Sequence, residues 1–181
     1  MTKPLIFITN DDGVNAKGFR LLIDVAARYG RVVAIAPAEM QSGKSNAITM
    51  YQPLFLKKVV DEPDKQIYSL TGTPVDCAKM AFDNLLLGEK VDLALSGINH
   101  GSNSSVSLIY SGTMGAAVEA TLSHVPAIGF SLLDYHADAD FTAARHYVRL
   151  ILQEMLRHPF TDEASLNVNI PNVPLQAIKG V

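Results

Sequence analysis

A chain of 181 residues with 48% apolar and 18% charged side chains carries enough hydrophobic material for one sizeable core and too little charge to stay unfolded. Its formal charge of −3 comes from 15 basic and 18 acidic residues with no basic cluster, which argues against nucleic-acid groove binding, and the single Cys77 excludes an internal disulfide. No apolar run approaches the roughly 20 residues of a membrane helix and no charged-then-apolar leader opens the chain, so a cytoplasmic location without membrane contact is expected.

Residues 4–9 (PLIFIT) and 31–36 (RVVAIA) are short apolar runs ended by polar or turn residues, the pattern of buried strands. Between them Phe19, Leu22, Ile23 and Ala26 recur at helical spacing, and Gly30 is a stop signal. Strand, helix, strand in this order favours a right-handed crossover and a parallel sheet. Residues 48–60 and 66–70 alternate loosely and are interrupted by Pro53 and Pro63, which predicts edge strands or an excursion. The helix-strand alternation then resumes. Val75, Ala78, Phe82, Leu85 and Leu86 mark one helical face, and residues 91–95 a strand. Met114, Ala117, Val118 and Thr121 mark a second helix, and residues 127–132 another strand. Phe141, Ala144, Val148, Ile151, Leu152, Met155 and Leu156 give a long amphipathic helix, followed by a last strand, LNVNI (residues 166–170), and a tail without a packing pattern. The expected fold is a three-layer, doubly wound α/β domain over residues 1–181 with a mostly parallel, Rossmann-like sheet.

In such a sheet ligands bind outside the carboxyl ends of the strands. The first strand is followed by Asn10-Asp11-Asp12-Gly13, the second by a polar loop at residues 37–48, and the strand at 91–95 by SGINHGSN (residues 96–103). Each alone reads equally as a solvated turn with Asx hydrogen bonds or a flexible connection. Together they converge at one rim if the sheet is parallel. Adjacent carboxylates repel, which a cation would relieve. Tyr110-Ser111-Gly112-Thr113 precedes a predicted helix and suits either an anion at the helix start or simple N-capping by Ser111 or Thr113. Thr71-Gly72-Thr73-Pro74 reads as a cap with Asp76 at the positive end of the dipole. With oxygen donors, one cysteine and five scattered histidines, the chemistry points to one hard divalent cation, Mg²⁺ or Mn²⁺, rather than zinc.

Other signals carry less. Ser42-Gly43-Lys44-Ser45 resembles the end of a P-loop, but Ala38 stands where glycine is needed and extended chain follows in place of a helix. No GxGxxG follows the first strand and no GxSxG elbow is present, which disfavours a dinucleotide cofactor and a serine esterase. Cys77 reads as a buried small hydrophobe, and His100 as either a proton donor beside the site or polar surface.

These residues, in order, resemble the SurE family of metal-dependent nucleotide phosphatases. The match runs through NDDG at residues 10–13, AP with a downstream serine at 36–42, IT at 48–49 and GTPxDC at 72–77. It continues through SGIN-x-G-x-N at 96–103, YSGT at 110–113 and LNVNIP at 166–171. The resemblance implies one divalent cation held by Asp11, Asp12, Ser42 and Asn99, with Asp11 and Asp12 the catalytic pair. It also implies that Ser111, Gly112 and Thr113, with Asn99 beside them, lie next to the substrate phosphate. The implied reaction is hydrolysis of nucleoside monophosphates to nucleoside and phosphate, at the 5′ or 3′ position, with polyphosphate a further substrate of some members. Ala38 departs from a family acidic residue and Asn46 from a family histidine. Members continue into an arm exchanged with a partner subunit, so a homodimer or higher homo-oligomer is expected, and so is a C-terminal extension beyond these residues. The alternative is a non-catalytic nucleotide-binding regulatory module on the same fold.

Overall fold

The computed structural model describes residues 3–158, 160 and 164–180. The chain opens with β1 (Leu5–Thr9), α1 (Lys17–Ala26) and β2 (Arg31–Pro37), followed by β3 (Leu56–Glu62) and β4 (Lys65–Leu70). α2 (Pro74–Met80) leads through a π-helical turn (Ala81–Leu85) to β5 (Leu93–His100), and a one-turn α3 (Ser107–Tyr110) leads to α4 (Gly112–Leu122). β6 (Ala127–Leu133), α5 (Thr142–Arg157), β7 (Ser165–Pro171) and a 3₁₀ turn (Leu175–Ala177) complete the described chain. The seven strands are ordered β3-β4-β2-β1-β5-β6-β7, parallel except for β3, which runs antiparallel to β4. No helix of the described residues is long and apolar enough to cross a membrane.

Alternation within the parallel strands splits the interior into two cores. Ile6 and Ile8 of β1 face the layer of α1 and α5, where Phe19, Leu22, Val148 and Leu152 are buried. Leu5 and Phe7 face the layer of α2 and α4, with Cys77, Ala78, Met114 and Ala117. Each face buries its own helices, which gives the expected three layers. Because β2 lies on one side of β1 and β5 on the other, the chain reverses direction across the sheet at β1. The crevice between the carboxyl ends of β1 and β5 is therefore the topological switch point.

Several expectations are corrected. β4 is not an edge: it lies between β3 and β2 and buries Ile67, Tyr68 and Leu70, so that β3 alone forms that margin, carrying exposed Lys57, Lys58, Asp61 and Glu62 and a pairing irregularity between Lys58 and Val60. The strand expected at 91–95 runs instead over Leu93–His100, through a bulge between Ser96 and Asn99. Gly97 makes this bulge tolerable, with φ of +124°, and a Cβ there would lie 2.4 Å from Phe130 O. The α2 face is broken by the π-helical turn, which keeps Leu86 buried and swings Leu85 outward. On α4 the buried side is Met114, Ala117 and Ala120, while Val118 is exposed, because small residues let the helix press its other faces onto neighbours. In the tail, Ile178 packs against the α1/α5 core.

Candidate active site

At the end of β1 the backbone turns through Asn10-Asp11-Asp12-Gly13. Asn10 Nδ2 donates to Gly13 O at 3.0 Å, which closes the turn, while its Oδ1 accepts no hydrogen bond among the described residues, so the expected Asx turn is not formed by Asn10. The carboxylates beside it are nevertheless not solvated: Asp11 is only 4% exposed. Asp11 Oδ1 accepts a hydrogen bond of 2.6 Å from Thr113 Oγ1, and Asp11 O accepts one of 2.7 Å from Gln41 N. A Cβ on Gly112 would come within 3.0 Å of Asp11 Cβ and 3.2 Å of Asp11 Oδ2, so a side chain here would press on Asp11 where α4 begins. The positive end of that helix dipole thus faces a buried carboxylate.

Asp12 is half-buried, and its Oδ2 has no hydrogen-bond partner among the described residues. Burial pushes the Asp11 carboxyl up from its ordinary range, partly offset by the hydrogen bonds of Thr113. Burial, reinforced by repulsion from Asp11, pushes Asp12 up to about 6 against the opposing influence of His100. His100 Nδ1 is buried without a partner among the described residues, and its ring packs edge-on to Phe141 with centroids 5.2 Å apart. One residue earlier on β5, Asn99 Nδ2 donates to Gly101 O at 3.0 Å, leaving the amide oxygen as the uncommitted end.

The loop after β2 is fastened at several points. Gln41 N reaches Asp11 O, Ser45 N reaches Tyr110 O at 3.2 Å, and Ser45 Oγ donates to Ile109 O at 2.6 Å. Ser42, next to Gln41, is brought to the rim by that backbone bond, and its side chain is exposed. Asp11 and Thr113 therefore meet at the switch point with Asp12 beside them, Asn99 lies near the end of the neighbouring β5, and Ser42 is on the loop after β2. Ser111 Oγ accepts from Met114 N at 3.0 Å, so its hydroxyl caps α4, and the Thr113 hydroxyl is committed to Asp11. Among the described residues no three His, Cys, Asp or Glu side chains form a metal-holding group. The donors present are carboxylate, amide and hydroxyl oxygens, with one buried carboxylate oxygen unpaired, which fits a hard cation rather than zinc.

Two neighbouring features are structural. Thr73 and Asp76 form a capping box at α2, Asp76 N donating to Thr73 Oγ1 at 3.1 Å and Thr73 N to Asp76 Oδ2 at 2.9 Å. Asp76 also accepts from Thr49 N at 3.0 Å and Thr49 Oγ1 at 2.6 Å, tying the polar loop to α2. Cys77 is fully buried, and burial pushes its thiol far up, so it packs and does not react. Beside Gln41 a cavity of about 480 Å³ opens, lined among others by Glu39, Lys44, Gln52 and Thr71, within the range of small-molecule pockets.

Sequence reasoning missed an amide network bracing the loop after β5. Asn103 Nδ2 donates to Ser131 Oγ at 2.9 Å, Asn103 N to Asn169 Oδ1 at 2.9 Å, and Asn167 Nδ2 to Asn103 O at 2.8 Å. Its one legible signal was the i, i+2 placement of Asn167 and Asn169, which puts both on one face of a strand.

Residues 6–181 match the family described as Survival protein SurE. The chain is 49% identical over 182 residues to the 5′-nucleotidase SurE of Cytophaga hutchinsonii, covering 99% of this chain and 70% of that protein. It is 50% identical over 182 residues to the 5′-nucleotidase SurE of Flavobacterium psychrophilum, covering 100% of this chain and 70% of that one. Among solved structures, the SurE protein of Aquifex aeolicus superposes with a TM-score of 0.88 at 33% identity, covering 98% of this chain and 70% of that structure.

Proposed function

The chain belongs to the SurE family, and on that premise we propose that it is a phosphoric monoester hydrolase, a divalent-metal-dependent nucleotidase that releases phosphate from nucleoside monophosphates. The observation that carries this reading is the pair of adjacent, mutually repelling carboxylates at the switch point, Asp11 buried and Asp12 half-buried, with Asp12 Oδ2 unpaired among the described residues. Asp11, Asp12, Ser42 and Asn99 would hold the cation, Mg²⁺ or Mn²⁺. When bound, such an ion neutralises phosphoryl charge and acidifies a water.

The chain's own residues do the rest. Thr113 fixes Asp11 through its hydroxyl, so that carboxylate meets the ion in one orientation. The Asn99 amide, turned by its bond to Gly101, offers oxygen to the rim. The Gly112–Thr113 end of α4 presents its dipole to the anionic phosphoryl group, and Ser111 keeps that end folded by capping Met114. Without a cation the Asp12 carboxyl is pushed up to about 6 by burial and by Asp11, and a bound cation would favour the charged form that holds it. The cavity beside Gln41 leaves room for the nucleoside. A cytoplasmic homodimer or larger homo-oligomer acting on 5′ or 3′ monophosphates accords with the family resemblance.

The test is phosphate release from a panel of 5′ and 3′ monophosphates with Mg²⁺ or Mn²⁺, with and without EDTA. Chelator-sensitive release supports the enzyme, whereas nucleotide binding with no release under any metal would make it a regulatory module.

A further inference from the structure

On the outer side of α1 and α5 lies a second pocket of about 270 Å³ that shares no residue with the catalytic rim. Its walls carry Arg28, just past the end of α1, and Arg145, His146 and Arg149 from the first half of α5. Three of the chain's six arginines thus line one depression of a protein whose net charge is −3.

Among the basic groups elsewhere, six are matched with acids. Lys3 pairs with Asp64, Arg31 with Glu89, Lys58 with Asp61, Lys65 with Glu62, Lys79 with Asp83 and Glu119, and Lys90 with Asp92. Arg28, Arg145 and Arg149 make no ion pair among the described residues. Among the described residues Arg149 reaches the neutral Gln153, at 3.4 Å. The acids nearby in sequence form no ion pair with these arginines among the described residues. Asp140 Oδ1 is occupied by Thr142 N and Oγ1, at 2.9 and 2.6 Å, and Asp24, one turn before Arg28, is exposed without an ion pair. The first turn of α5 holds no acidic residue, so Arg145 sits unneutralised near the positive end of a 16-residue helix. Like charges gathered with no counter-charge are unfavourable by themselves and become favourable around a multivalent anion. Guanidinium forks match phosphate oxygens two at a time. The pocket falls just below the volume that encloses a whole small molecule, which suits a short phosphate chain better than a complete nucleotide.

We propose that this groove between α1 and α5 binds the linked phosphates of a polyphosphorylated ligand, two or three phosphoryl groups long, at a site separate from the catalytic rim. Isothermal titration of the protein in EDTA with sodium tripolyphosphate, ATP and orthophosphate tests it. Tripolyphosphate and ATP should bind with similar affinity and orthophosphate at least about tenfold more weakly. The double variant Arg145→Gln, Arg149→Gln should lose about tenfold or more in tripolyphosphate affinity, with an unchanged circular dichroism spectrum, and Arg28→Gln alone should act in the same direction. Binding should persist in the variant Asp11→Asn, Asp12→Asn. The proposal is overturned if tripolyphosphate does not bind at millimolar concentration, if ATP binds and tripolyphosphate does not, or if the arginine variants bind as the unaltered protein does. None of these outcomes bears on phosphate release at the rim.

Discussion

Two buried acidic positions at the same end of the sheet behave in opposite ways. Asp76 and Asp11 are each 4% exposed. Asp76 receives hydrogen bonds from Thr49 N, Thr49 Oγ1 and Thr73 N, and it closes a capping box. Its negative charge is fully answered by the protein, and the result is a fastened loop. Asp11 receives one side-chain donor, Thr113, and sits beside a second carboxylate with an unpaired oxygen. A buried acid that its own chain satisfies is scaffolding; one left short of donors beside another acid is waiting for something positive.

The largest expected effect separates the two directly. Asp12→Asn should lower metal-dependent phosphate release more than about 100-fold, beyond the usual effect of losing an outer partner of a metal ligand, while thermal unfolding of the metal-free protein stays level or moves upward because a repulsion is gone. A clear drop in melting temperature with activity retained would put Asp12 in the class of Asp76. The converse change, Asp76→Ala, should destabilise the fold by about 3 kcal/mol through the lost cap and charged hydrogen bonds, read as an earlier denaturant midpoint. Turnover per folded molecule should change far less.

Acidity gives a third contrast. A carboxyl raised in the folded state binds protons that the unfolded chain has already released, so its contribution to stability is complete below about pH 4 and is lost as pH rises through about 6. Metal-free protein should therefore lose about 2 kcal/mol from Asp12 over that window, visible as a fall in denaturant midpoint between pH 4.5 and 7 as rough bounds, and Asp12→Asn should flatten it. The smallest effect is expected for Thr113→Val, which leaves Asp11 in place but unoriented and should weaken metal affinity about tenfold, measured by calorimetric titration with Mn²⁺.

The opening strand-helix-strand unit was legible because its periods are clean, and the parallel sheet that follows from it was enough to bring residues 10–13, the loop after β2 and the end of β5 to one rim. β4 was misjudged because Lys65 and Gln66 are polar and Pro63 precedes them, although the strand lies inside the sheet. The length of β5 was hidden because a run of Ser, Gly and Asn reads as loop, and only the bulge at Gly97 lets it keep pairing with β6. Within the site, residue types announced a cation, but the bond from Thr113 to Asp11 spans 102 positions and no local pattern encodes it. The amide network around Asn103 was hidden for the same reason.

The outermost strand, β3, also governs how molecules meet one another. A flat strand arriving from a neighbouring copy would encounter ammonium groups at Lys57 and Lys58, carboxylates at Asp61 and Glu62, and a backbone thrown out of step between Lys58 and Val60. Fibrillar growth by strand addition is hindered on that flank, which lets the protein be concentrated without its sheet becoming a template.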